Sequence, residues 1–342
     1  MTNNIHNSPA TGVLLTMASL VIVIAGLKVA APLIAQFLMA LFIAVVCTPS
    51  IRWMERKNIP RSVAIVLVLL FILAFVYLVV LLVGDSIQSF KMNKDLYVQQ
   101  LKVQLTALTQ WLISVGIPAQ GMEISSLIEK ADLMSLVTRL VGGLGVIFGD
   151  FFVIFLSVIF ILAETTSFPS KFEKAFVNSH DKMVHINNIL EKIRHYLAIK
   201  TASSLLTGGL VSVLLLFIGV DYPFLWGMLA FLLNYIPNIG SIIAAIPALI
   251  LSLIQLGPMA MLWTAISFFA VNNFVGNYLE PKFMGKMLGL STFVVFMSLI
   301  FWGWIFGSVG MFLSIPLTMT IKIILEANES SRWLGILLGP ED

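Results

Sequence analysis

Hydrophobic residues run along this chain in blocks long enough to cross a bilayer. Apolar stretches cover Gly12–Leu27, Val29–Cys47, Ser62–Val83, Leu144–Ala163, Thr201–Gly219 and Pro258–Leu279. Each approaches the roughly 20 residues a helix needs to span a hydrocarbon core about 30 Å thick. Two longer stretches, Tyr222–Leu256 and Leu288–Leu325, are equally apolar but broken in the middle. The first break is Asn234-Tyr235-Ile236-Pro237-Asn238-Ile239-Gly240-Ser241; the second lies at Gly303 and Gly307-Ser308-Val309-Gly310. Lipid cannot hydrogen-bond the backbone groups that such breaks release. Irregular backbone at membrane depth therefore survives only where protein or a water-filled cavity satisfies it. The expected fold class is an all-α polytopic membrane protein with about six full spans and two helical hairpins.

The polar stretches between these blocks have helical periodicity. In the outer one Tyr97, Leu101, Leu105, Leu108 and Leu112 recur at three and four residues. Gly116-Ile117-Pro118 ends that helix, and Ile124, Leu127, Ile128 and Leu136 mark a second amphipathic stretch. Ile186, Ile189, Leu190, Ile193 and Leu197 repeat likewise in the inner one. Such helices lie in the interface plane or pack against neighbours, and a homo-oligomer is expected from them and from the small-residue faces.

Charge orients the spans. Hydrophobic residues make up 59% of the chain and charged ones 11%, so the net charge of +3 reads as loop bias and not as a nucleic-acid surface. The loop with Arg52, Arg56, Lys57 and Arg61, opposed by Glu55, is the most one-sidedly basic and is assigned to the cytoplasm. Counting spans from there puts the N-terminus inside, with its first run a retained anchor, and Lys28 at the outer interface. Residues 84–143 fall outside, 164–200 inside, Gly219-Val220-Asp221 outside and Glu280–Lys286 inside. Tyr222–Leu256 must then enter and return to the outer side. Its arms of about 15 residues reach roughly 22 Å, short for a full crossing. Leu288–Leu325 mirrors it, returning to an inner C-terminus with Lys322 and Arg332. The expected organisation is membrane spans over 1–83, an outer amphipathic segment over 84–143, a span over 144–163, an inner linker helix over 164–200, a transport core over 201–327 and a tail over 328–342. Two oppositely oriented halves in the core form an inverted repeat of the kind secondary transporters use.

Chemistry is sparse and concentrated. Cys47 is the single cysteine, so no disulfide or thiol metal site forms within one subunit. His6, His180, His185 and His195 lie outside the spans without zinc spacing, and no metal or cofactor is expected. Phosphate-loop, His-Glu-x-x-His and Gly-x-Ser-x-Gly motifs are absent, which argues against an enzyme and against ATP-driven transport by this chain alone. The candidate solute-binding residues are Asn234, Asn238 and Ser241 at the first break, and Asn272, Asn273 and Asn277 on the face of the sixth span that leads to Glu280. Intramembrane polar clusters are costly, which favours function over simple capping of broken helix ends. Gly276 is expected to admit a close backbone. Pro237, Gly240, Gly276, Glu280, Pro281, Gly303, Gly307, Gly310 and Pro316 are read as structural or gating positions, with a surface charge the alternative for Glu280. Asp150, Glu164 and Arg139 are read as interfacial.

Three motifs carry a family resemblance: Asn234–Ser241, the run Gly276-Asn277-Tyr278-Leu279-Glu280-Pro281-Lys282-Phe283-Met284-Gly285 and Leu288-Gly289-Leu290-Ser291-Thr292. With Phe301-Trp302-Gly303-Trp304, Gly307, Gly310 and Pro316, they resemble the autoinducer-2 exporter family. That resemblance implies export of autoinducer-2, a small neutral polar signal, across the bacterial inner membrane. Some members of the family look like sodium–proton antiporters. Asn273 departs from the family pattern, which favours an apolar residue there. An antiporter needs buried carboxylates, whereas Asp150, Glu164, Asp221 and Glu280 all lie at span ends. A non-transporting scaffold would not need polar hairpin tips. The expected partners are the neutral solute and membrane lipid.

Overall fold

The computed structural model describes residues 9–115, 151–164, 180–237, 239–284, 289–327 and 329–340. Asn238, the Gly116-Ile117-Pro118 break, the stretch from Ile124 to Leu136, Arg139 and Asp150 lie outside the described residues. Every regular element among the described residues is helical: α1 Pro9–Val29, α2 Ala31–Arg56, α3 Arg61–Met92, α4 Lys94–Ser114, α5 Phe151–Glu164 and α6 His180–Ile218. Then follow α7 Pro223–Leu233, α8 Ile239–Leu256, α9 Pro258–Asn272, a π-helical turn Asn273–Leu279, α10 Glu280–Met284, α11 Thr292–Phe312, α12 Ser314–Glu326 and α13 Arg332–Leu337.

Six of these stretches are long and apolar enough to cross a membrane: Ala31–Arg56, Arg61–Phe90, Glu191–Ile218, Ile239–Leu256, Pro258–Met284 and Thr292–Phe312. Leu14–Val29, Phe151–Glu164 and Pro223–Leu233 are shorter. The number agrees with expectation, but the membership shifts. Of the expected spans, Gly12–Leu27 and Leu144–Ala163 contribute shorter described helices, while Ile239–Leu256 and Thr292–Phe312, expected as arms of the two interrupted stretches, qualify. Large apolar side chains such as Phe71, Phe217 and Phe269 are exposed on these helices, as lipid-facing residues must be.

Two boundaries differ from the polarity pattern. The inner linker from His180 onward and the span after it are one continuous 39-residue helix, α6. No Gly or Pro stands at residue 200 to stop it, and the backbone continues its own hydrogen bonds across the change in polarity. The Pro258–Leu279 span also runs on, through the π-helical turn and α10, to Met284. Pro281 has no N–H to return to the carbonyl of Asn277, and the Glu280 N–H bonds instead to Val275, five residues back.

Small residues set the closest crossing. A Cβ on Gly208 would lie 2.6 Å from the Gly227 carbonyl, and one on Gly227 2.5 Å from the Gly208 carbonyl, so α6 and α7 meet backbone to backbone. This is the close approach expected of Gly276, which instead has only the Asn272 side chain within 4 Å.

The buried residues fall into four clusters. The largest joins α6, α7, α8 and α9 to α3 and α4 through Trp226, Leu215, Ala244, Leu251 and Tyr97. A second gathers Phe42, Tyr196, Tyr235, Met284, Leu313 and Met319. The others unite α2, α3 and α5, and α1, α2 and α11.

Candidate solute site

The first break is short. α7 ends at Leu233, the Ile236 N–H bonds back to the Leu233 carbonyl at 2.9 Å, and α8 starts at Ile239. Gly240 sits so close beneath the end of α7 that a Cβ there would lie 1.8 Å from the Leu233 carbonyl oxygen. The second break reproduces that contact. Gly307 leaves helical geometry at φ 64°, ψ −142°, while Gly303 is helical. A Cβ on Gly310 would lie 1.8 Å from the Trp302 carbonyl oxygen. Trp302 Nε1 donates to Thr318 Oγ1 at 2.9 Å. Of the glycines expected to break this segment, only Gly307 has non-helical angles; Gly303 faces the Met311 side chain. Pro316 stands in the first turn of α12, where a missing N–H removes no intrahelical bond.

What the first break docks against was not singled out from hydropathy. α6 carries Lys200, Ser203, Ser204 and Thr207, all buried and spaced three and four apart, with Thr201 beside them. Asn234, itself buried, donates from Nδ2 to Ser204 Oγ at 2.9 Å. The Tyr235 hydroxyl donates to Thr201 Oγ1 at 2.9 Å. One turn beyond Ser204, the buried Thr207 hydroxyl has no hydrogen-bond partner among the described residues, as is true of Thr264 on α9. Both hydroxyls can donate or accept. The signal was present in the sequence as Lys200-Thr201-Ala202-Ser203-Ser204 followed by Thr207 at the head of an apolar run.

Glu280 is not a surface charge. Its carboxylate accepts from Lys200 Nζ at 2.7 and 2.9 Å and from Ser203 Oγ at 2.7 Å. The two side chains of the ion pair are only 9% and 13% exposed, which makes them dependent on each other.

The asparagine face is arranged differently. Asn273 donates to the Phe269 carbonyl at 2.8 Å, and Asn277 donates to Asn273 Oδ1 at 2.9 Å. Asn277 is exposed and Asn272 half-buried. The hydrogen bonds of Asn273 and Asn277 therefore stay within their own helix and do not reach Asn234. Ser241 is half-buried in the first turn of α8, and Pro237 lends its carbonyl to the Ile239 N–H at 2.6 Å.

An aromatic group closes the junction. The Tyr235 ring stacks on Phe312 at 4.2 Å and meets Phe42 and Phe231 edge-on at 5.6 and 5.8 Å. At the far end, the Asp221 N–H bonds to Gln255 Oε1 at 3.0 Å and Gln255 Nε2 to the Gly219 carbonyl at 3.3 Å, tying the start of α7 to the end of α8. Tyr97 of α4 donates to Asp221 Oδ2 at 2.8 Å.

The family profile for AI-2E family transporters matches residues 17–330. A relative in Haemophilus influenzae is 39% identical over 342 residues, covering 98% of this chain and 97% of its own. The AI-2 transport protein TqsA of Escherichia coli K12 is 36% identical over 326 residues, 95% of each chain. YhhT of the same organism, whose name gives no substrate, is 36% identical over 328 residues, 96% of this chain and 94% of its own.

Proposed function

We propose that this chain, which belongs to the AI-2E family of transporters, exports a small neutral polar signal of the autoinducer-2 type across the bacterial inner membrane by secondary transport. The observation that carries this reading is the chemistry of the junction between α6 and the first break. Asn234, Ser204, Tyr235, Thr201 and Thr207 are uncharged donors and acceptors. The one charged pair beside them, Lys200 with Glu280, neutralises itself. Such a set hydrogen-bonds a hydroxyl-rich solute and offers a free cation no net negative charge. TqsA, 36% identical over almost the whole chain, bears the same substrate class in its name.

In this reading both interrupted segments are re-entrant hairpins of opposite orientation. The Gln255 bridge from α8 back to Gly219 and Asp221 supports the first, since both its ends then lie at one level. Lys322 Nζ bonded to the Gly289 carbonyl and the Ser291 N–H bonded to Leu338 at 3.1 Å support the second. Lys28 reaches the Trp304 carbonyl near the other break, in keeping with an outer position for both. Both termini are then cytoplasmic, and solute passes where Tyr235 and Phe312 meet. Asn238 and the Asn272, Asn273 and Asn277 face complete the proposed path.

The test is flux in liposomes holding the purified protein. Autoinducer-2 should move with wild type and fall at least tenfold with Asn234→Ala or Ser204→Ala. A sodium-driven pH change without autoinducer-2 flux would replace this reading with an antiporter. Neither activity in a folded protein would point to the scaffold.

A further inference from the structure

Far from the polar junction, α2, α3 and α5 enclose a cavity of about 60 Å³ lined by Thr48, Ile51, Arg52, Arg61 and Leu162. That is more room than a single water needs. Its lining is mixed: two arginines and a threonine together with the buried apolar side chains of Ile51 and Leu162. Arg61, which lines the cavity, also opens α3, where the first-turn N–H groups have no acceptor within the helix. Its Nη1 contacts Glu55 at 3.3 Å, yet its Nε is buried without a hydrogen-bond partner among the described residues. Arg194 of α6 has an equally orphaned Nε and feels the like charge of Arg52. Among the described residues the carboxylates set against these cations are Glu55, paired with Arg61, Glu191 near Arg194, and Glu164 at the end of α5, two residues past Leu162. Arg56 and Lys57 are exposed alongside. A buried guanidinium donor left unfilled among the described residues, as at Arg61 beside this cavity, is matched chemically by an anion.

The occupant must also tolerate Ile51 and Leu162, and Trp53, 60% exposed next to Arg52, is the kind of residue that sits at headgroup level. An amphiphile with a phosphate head meets both demands. We propose that this corner is a binding site for the phosphodiester headgroup of an anionic phospholipid. Arg52 and Arg61 form the guanidinium fork, the first turn of α3 supplies N–H donors, and the acyl chains lie along α2 and α5. Phosphate held this way pins α5 to α2 and α3 by a ligand as well as by packing.

The experiment uses full-length protein stripped of lipid in detergent. Thermal unfolding and native mass spectrometry would be followed with short-chain phosphatidylglycerol, short-chain phosphatidylcholine and inorganic phosphate. Wild type should prefer phosphatidylglycerol over phosphatidylcholine, and Arg52→Gln/Arg61→Gln should lose about fivefold in affinity for each arginine removed. The control Lys102→Gln/Arg332→Gln, which removes the same charge elsewhere, should keep the preference. Arg52→Gln alone, at an exposed position, serves if the double variant does not fold, and should lose about fivefold. An unchanged preference in the Arg52 and Arg61 variants would overturn the site. Equal stabilisation by inorganic phosphate would overturn the lipid and leave a free-anion site. Either result is independent of autoinducer-2 flux.

Discussion

Tyr235 and Phe312 stack with ring centroids 4.2 Å apart and planes 26° from parallel, joining the first break in the core to the end of the helix that carries the second. Their backbones lie 77 positions apart in sequence, 312 less 235, so the pair reports tertiary structure alone. A double-mutant cycle with Tyr235→Ala and Phe312→Ala should give a coupling of about 0.5–1.5 kcal/mol. Tyr235→Phe keeps the ring and removes the bond to Thr201, and should cost about 1 kcal/mol. Thermal unfolding in detergent measures both.

The Lys200–Glu280 pair should behave as a unit. Glu280→Gln strands a buried ammonium group and should cost about 3–5 kcal/mol. Lys200→Met/Glu280→Leu removes both charges and should cost distinctly less than the single change. A double variant as unstable as the single one would mean that the pair is not isolated as described. Unfolding midpoints against denaturant separate the cases.

Glycines of similar appearance should differ sharply. Gly240→Ala and Gly310→Ala each drive a Cβ to within 1.8 Å of a main-chain oxygen and should abolish folded, monodisperse protein. Gly276→Ala meets nothing nearer than 3.5 Å and should be neutral or stabilising by up to about 1 kcal/mol, the helix preference of alanine. Size-exclusion profiles of the three variants suffice.

Tyr97 predicts an alkaline limit. Burial first, then its bonds to Tyr222 and Asp221, raise its hydroxyl pKa well above the usual tyrosine value. A raised pKa means that the folded state holds the proton more tightly. The stabilisation is therefore complete below the unfolded value near ~10 and is lost as pH rises beyond it. Limited proteolysis within α4 should accelerate above that pH in wild type. Tyr97→Phe should flatten this dependence.

Hydropathy made most of the fold legible because lipid imposes one rule on every residue. The spans, the break at Asn234–Ser241 and the amphipathic α4 all follow from it. The polar face of α6 was harder to see. Serine and threonine satisfy their hydroxyls on the preceding helical turn, as Thr201 does on Leu197 at 2.7 Å, so they interrupt neither helix nor hydropathy. Only their shared face with Lys200 marks them, and that needs a neighbour to be recognised. The partner of Glu280 was invisible for a similar reason: Lys200 lies 80 positions away. The asparagine face was read on α-helical spacing, and the π-helical turn changes which residues overlie one another from Asn273 onward.

The self-neutralised pair has an electrical consequence. Moving one unit charge across a membrane potential of 100 mV involves about 2.3 kcal/mol. Lys200 and Glu280 sit 2.7 Å apart, so any displacement that carries both moves a dipole and no net charge. With a neutral solute aboard, a translation of this pair through the bilayer would carry no net charge, so the pair itself would add no voltage dependence to that step.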